Sequence, residues 1–305
     1  MTVLMIVGGF ALLVLGGEGL VRGAAALALR AGLSPLLIGL TIVGFGTSTP
    51  ELLTSVEAAL AGSPGIAVGN VVGSNLCNIL LILGLAALIR PVTVAGPAFR
   101  RDGAALALSA LLGAGVLLMG DVGRLAGFAL VAALALYLTL AWRGEQAEPE
   151  LPETGGLGAP AAAAFVAGGL ALLMAGAKLL VIGAVDLAAG LGVSEAVIGV
   201  TIVAIGTSLP ELVTSLVAAA RRQGDIAFGN IVGSNIFNIL GILGATALVQ
   251  PLVPPAEILS FDLWAMLGAT AALVVLGLTG RIGRLAGGAM LVAYLAYLAT
   301  LAASA

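Results

Sequence analysis

Compared with itself at a constant offset of 160 residues, this chain repeats: GLTIVGFGTSTPELLTS at Gly39 to Ser55 returns as GVTIVAIGTSLPELVTS at Gly199 to Ser215. GNVVGSNLCNIL (Gly69 to Leu80) returns as GNIVGSNIFNIL (Gly229 to Leu240) at the same offset. Between Gly39 and Gly84, 28 of 46 aligned positions are identical without a gap, which implies two homologous halves. Each copy sets a glutamate, a proline and a cluster of hydroxyl and amide side chains inside an otherwise apolar segment. Function is expected there.

The solvent follows from composition. A soluble globule of 305 residues cannot be built with 61% hydrophobic and 9% charged residues, because too little of its surface would be polar. The chain reads as an integral membrane protein whose partner is the lipid bilayer, with no sign of nucleic-acid or protein partners. Its apolar runs are too many for a signal peptide, and no Lys or Arg precedes the first, so no cleaved leader is expected. The lone Cys77 excludes an internal disulfide and a cysteine-based metal site. Histidine is absent, so ion chemistry must rest on oxygen ligands.

A helix needs about 20 mostly apolar residues to cross the hydrocarbon core. Segments of that kind fall at about 3–29, 33–60, 66–89, 103–120, 123–142, 160–189, 193–220, 226–249, 263–279 and 284–303. The expected fold is an all-α membrane protein of ten transmembrane helices, five in each half. Residues 1–142 make the first unit, with its motif block at 39–84, and residues 160–305 the second, with its block at 199–244. The polar stretch 143–159 between them reads as a flexible acidic linker. Five is odd, so the second repeat must enter the membrane from the opposite side. With the N-terminus outside, the cytoplasmic ends carry Arg30, Arg90, Arg100, Arg101, Arg143, Arg221, Arg222, Arg281 and Arg284, against Arg124 alone outside. This asymmetry predicts both termini outside, the linker in the cytoplasm and an inverted-topology repeat, with substrate bound near the midplane.

Pro50 lacks an amide hydrogen and crowds the carbonyl four residues back, so the second helix is expected to kink and to free the Gly46 carbonyl and its neighbours. Thr47, Ser48 and Glu51 lie within about one turn of it. Gly206, Thr207, Ser208, Pro210 and Glu211 repeat the arrangement. A carboxylate at the bilayer centre costs roughly 2.5–3.5 kcal/mol on insertion scales, so Glu51 and Glu211 need compensation. A divalent cation between them supplies it, since Ca²⁺ takes six to eight oxygens at about 2.3–2.6 Å. Ser74 and Asn78 share one face of the third helix, as do Ser234 and Asn238 on the eighth. Four helices would then surround one site. Glu18, Arg22, Lys178 and Asp186 are expected to pair among themselves or snorkel, and Cys77, aligned with Phe237, to be packed and inert.

The paired blocks GTSTPELLTS with GNVVGSNLCN, and GTSLPELVTS with GNIVGSNIFN, resemble the two α-repeats of the cation/Ca²⁺ antiporter superfamily, most closely its prokaryotic Na⁺/Ca²⁺ exchangers. The resemblance implies a plasma (inner) membrane antiporter that moves Na⁺ against Ca²⁺ by alternating access, with no cofactor and no enzymatic activity. By that analogy Glu51 and Glu211 hold Ca²⁺, Thr47 with the Gly44 carbonyl and Thr207 with the Ala204 carbonyl form mirror-related Na⁺ sites, and Ser48, Ser74, Ser208 and Ser234 are shared around them. The first and sixth helices would slide past the other eight. Asn238 stands where several relatives carry an acid, which disfavours K⁺ cotransport. H⁺/Ca²⁺ antiport is the second reading, made weaker by GTSTPE in place of a GNAVE-like motif, and a passive cation channel the third. A membrane hydrolase using Ser48 or Ser208 would lack a base.

Overall fold

The computed structural model describes residues 1–94, 96–143, 157–191 and 204–304. They form eleven helices: α1 (Thr2–Ala31), α2 (Pro35–Thr47), α3 (Thr49–Leu60), α4 (Pro64–Ile89), α5 (Gly96–Leu118), α6 (Arg124–Arg143), α7 (Ala159–Gly190), α8 (Leu209–Ala220), α9 (Gly224–Val249), α10 (Ile258–Leu278) and α11 (Arg284–Ser304). Among the described residues eight helices are long and apolar enough to cross a membrane, or nine with α2 and α3 taken as one span bent by 43°. The shorter α8 is preceded by one helical turn, Ala204–Gly206. The first part of the seventh expected span, from residue 193, lies largely outside the described residues.

Local sequence sets the ends. Gly32 closes α1 in the left-handed conformation (φ 64°), and Ser34 caps the next helix by accepting from the Leu37 amide at 3.1 Å, one residue before Pro35; both are standard stop and start signals. Two boundaries differ from the sequence expectation. The helices placed at 103–120 and 263–279 begin earlier, at Gly96 and Ile258. Pro97 costs nothing in a first turn, where its amide would have no partner. The charges near the start of α5 are also satisfied: Arg101 grips Asp102 at 2.7 and 3.1 Å, and Tyr137 of α6 donates to the same carboxylate at 3.3 Å.

α1 and α7 pack against each other through glycine. A Cβ on Gly9, Gly16 or Gly23 would lie 2.8 Å from the carbonyl oxygen of Gly176, Gly169 or Ala162 respectively. The partner number falls as the α1 number rises, so these two helices, homologous at the 160-residue offset, are antiparallel. No side chain fits between such backbones, which is why the small residues recur. The pair forms one apolar cluster with part of α2, α8 and α9, and the remaining helices form a second, larger one. A short antiparallel ribbon pairs Val92 with Ile282, and an isolated bridge pairs Val122 with Leu252; each pairing becomes the other when 160 is added to one member and subtracted from its partner.

Candidate functional site

The break in the second helix falls at Ser48 (φ −84°, ψ 10°), and Ser208 adopts the same conformation (φ −88°, ψ 7°) ahead of α8. The expected kink is present. Pro50 and Pro210 then sit in the first turn of a new helix, with Glu51 and Glu211 in that turn as well. A carboxylate there faces the positive end of the helix dipole. Both are about 1% exposed.

Each broken helix reaches across to the other. Ser48 Oγ donates to Glu211 Oε1 at 2.7 Å, and Ser208 Oγ donates to Glu51 Oε1 at 3.1 Å. The two halves therefore share one centre. Among the described residues the second oxygens, Glu51 Oε2 and Glu211 Oε2, have no hydrogen-bond partner, and neither do the amide oxygens of Asn78 and Asn238. The Asn238 amide group donates to Asn75 Oδ1 at 3.0 Å, which leaves its oxygen as the free atom. Asn78 and Asn238 lie in matching π-helical segments, Cys77–Ile82 and Phe237–Leu243, the local widening often found at functional sites. Buried acceptors without donors are costly. Four such acceptors, two of them formally anionic, are left by the residues of the repeated motifs.

The other expected residues fall as follows. Thr47, Ser48 and Ser234 are fully buried and Ser74 and Ser208 nearly so. Thr47 Oγ1 lies 3.0 Å from the Val43 carbonyl and 3.1 Å from Asn230 Oδ1, and Ser234 Oγ donates to the Gly44 carbonyl at 3.2 Å. The Gly44 carbonyl is thus engaged, whereas among the described residues Thr207, the twin of Thr47, makes no matching bond to Asn70. Ala204 opens the turn before the second break. Glu18 stands apart from this centre, paired with Arg22 and, at 2.5 Å, with Arg221 at the end of α8. Glu57 is exposed, and Cys77 is buried and packed in the larger apolar cluster.

Sequence reasoning passed over the asparagines that brace the centre. Asn70 Nδ2 donates to the Glu51 carbonyl at 3.0 Å and to Ser55 Oγ at 2.9 Å, and Asn230 Nδ2 to the Glu211 carbonyl at 3.4 Å and to Ser215 Oγ at 2.9 Å. They tie α4 to α3 and α9 to α8 behind the carboxylates. Their signal was present, since both stand at matching places in the repeated GN-x-V-G-S-N block.

The family model described as sodium/calcium exchanger protein matches residues 1–143 and 161–303. The chain is 39% identical to the putative antiporter CaxA of Alkalimonas amylolytica, covering 94% of each protein, and 37% identical to the inner membrane protein YrbG of Escherichia coli K12, covering 82% of this chain and 80% of that one. Among solved structures, the sodium–calcium exchanger NCX_Mj soaked with 2.5 mM Na⁺ and 0.1 mM Ca²⁺ superimposes with a TM-score of 0.88 at 33% identity, over 98% of both chains. A membrane-embedded pair of carboxylates, crossed between two like halves and surrounded by neutral oxygens, thus sits in a chain that matches these transporters nearly end to end, and the chain belongs to the sodium/calcium exchanger family.

Proposed function

We propose that this antiporter exchanges Na⁺ for Ca²⁺ across a prokaryotic plasma membrane by alternating access, with Glu51 and Glu211 as the shared Ca²⁺ ligands. The observation that carries the reading is the crossed pair of carboxylates, each with one oxygen held by the opposite serine and the other left without a donor. Two carboxylates balance one Ca²⁺ or two Na⁺, so the same oxygens serve either ion but not both. Competition at one centre is what couples the two fluxes. Asn78 and Asn238 add neutral oxygens to the Ca²⁺ shell. Thr47 with the Gly44 carbonyl, and Thr207 with the Ala204 carbonyl, serve Na⁺ on either side, with Ser48, Ser74, Ser208 and Ser234 between them.

The architecture proposed for this cycle is ten helices in two inverted five-helix repeats, residues 1–142 and 160–305, joined by a cytoplasmic linker at 143–159, with both termini outside. Support comes from the antiparallel packing of the homologous α1 and α7 and from the arginine asymmetry of the loops. Inverted repeats of this kind place the substrate where the halves meet. Na⁺ is preferred to H⁺ as the coupling ion because the centre offers hydroxyl, amide and carbonyl oxygens beside the carboxylates and no imidazole. Radiolabelled Ca²⁺ uptake into proteoliposomes under imposed Na⁺, K⁺ or H⁺ gradients tests the proposal. Uptake driven by outward Na⁺ alone is expected. Uptake that follows only the H⁺ gradient assigns proton coupling, and uptake without any counter-ion assigns a channel.

A further inference from the structure

We propose that the cavity between α4, α10 and α11 holds one acyl chain of a phosphatidylethanolamine-type phospholipid, with its protonated amine at Asp262. The cavity measures about 370 Å³ and is apolar apart from the tyrosine and threonine at one end. It exists because of four small residues. Gly268, Ala272, Ala296 and Thr300 line it, and their twins at the 160-residue offset are Leu108, Leu112, Leu136 and Leu140, all exposed on the lipid-facing side of the first half. Where the first half carries leucines, the second carries small residues that leave room for a chain from outside. From Phe261 to Ala272 the groove follows twelve residues of helix, eleven steps or about 16 Å at 1.5 Å per residue. That is about half of a hydrocarbon core roughly 30 Å thick. One leaflet's acyl chain spans it.

Charge selects the head group. Asp102 and Asp262 are twins, and each accepts from a twin tyrosine: Tyr137 at 3.3 Å and Tyr297 at 3.0 Å. Asp102 also has Arg101. At the matching position the second half has Phe261, which instead stacks on Tyr297 at the cavity's end with ring centroids 6.1 Å apart. Among the described residues no Lys or Arg pairs with Asp262. Phe261 and Trp264 are 45% and 55% exposed, and aromatics of this kind collect at the level of lipid head groups. A primary ammonium supplies there the cation that Arg101 supplies in the other half, while the anionic head of phosphatidylglycerol is repelled.

The test uses the full-length protein equilibrated with vesicles of equimolar palmitoyl-oleoyl phosphatidylethanolamine and phosphatidylglycerol, followed by native mass spectrometry of retained lipid. The wild type is expected to keep one lipid, with a preference of about two- to fivefold for the amine head, the range an interfacial ion pair supplies. Ala272→Leu with Ala296→Leu, which restores the leucine of the twin helix at both places, should empty the groove, with folding checked by thermal unfolding. Asp262→Asn keeps an acceptor for Tyr297 and should retain the lipid but lose the preference. Equal retention of both head groups by the wild type overturns the proposal, as does undiminished lipid in the filled variant. A dimer mass that disappears on filling would assign the groove to a second copy of the chain instead.

Discussion

Replacing Glu211 by Gln is the sharpest probe of the centre. The amide retains the shape of the side chain, and its oxygen can still accept from Ser48, which donates to Oε1 at 2.7 Å. In that orientation the amide nitrogen replaces Oε2, the atom that has no donor, and points two hydrogens at the cation. The site loses half its negative charge and gains a repulsive dipole. Removing one partner of a buried charge pair costs about 3–5 kcal/mol, which at 1.4 kcal/mol per tenfold is a weakening of Ca²⁺ binding by roughly 10²- to 10³-fold or more. Glu51→Gln should do the same, because Ser208 holds its Oε1 in the same way at 3.1 Å. The double variant should be little worse than either single one, since residues sharing one ligand are not additive. Na⁺-driven uptake of radiolabelled Ca²⁺ at matched incorporation, over a range of Ca²⁺ concentrations, measures this. Near wild-type transport in either single variant, or effects that simply add, would refute the shared-carboxylate centre.

Asn238→Asp puts a third acid in place of a free acceptor, and is expected to strengthen monovalent cation binding, seen as Na⁺ inhibition of Ca²⁺ uptake at lower Na⁺; unchanged Na⁺ dependence would mean that Asn238 does not line the centre. Gly16→Leu is expected to prevent α1 and α7 from docking, because a Cβ at that position already lies 2.7 Å from the backbone nitrogen of Leu173, and a loss of several kcal/mol should appear as a large drop in the thermal unfolding midpoint in detergent. With Cys77 replaced by Ala, single cysteines near Glu148 should react with an impermeant thiol reagent only from the cytoplasmic side, and those near Thr2 only from outside. Labelling of both from one side removes the proposed topology.

Much of this centre was legible because it is written twice. A proline followed by a glutamate in an apolar run reads directly as a break bearing a buried charge, and the structure puts the break at Ser48, two residues before Pro50. The crossed bonds were not legible: that Ser48 serves Glu211 rather than Glu51 depends on how the two halves face each other, which no local pattern encodes. The bracing asparagines were missed because an amide within a small-residue stripe looks like packing until its partner is seen. The helix start at Gly96 was missed because charges near an apolar run look like a boundary, whereas Arg101 pairs with Asp102 within the helix and Tyr137 of α6 donates to the same carboxylate.

Thr47 engages Asn230, whereas among the described residues no matching bond joins Thr207 to Asn70, although the two threonines occupy the same place in nearly the same sequence. A molecule made of two near copies in an unequal arrangement is expected to have a second one available, in which the copies exchange roles and Thr207 would take Asn70. Like bonds are made in both, so the two wells are close to degenerate, and a tilt of only about 1.4 kcal/mol sets a tenfold ratio between them. The tilt must come from positions where the copies differ. Glu18 and Arg221 form an ion pair in the present arrangement, and their twins are Lys178 and Ala61, which cannot form one in the other. On the proposed alternating-access cycle that pair is expected to act as ballast, so that neutralising Glu18 shifts the resting population toward the opposite face, read as changed accessibility of single cysteines on the two sides.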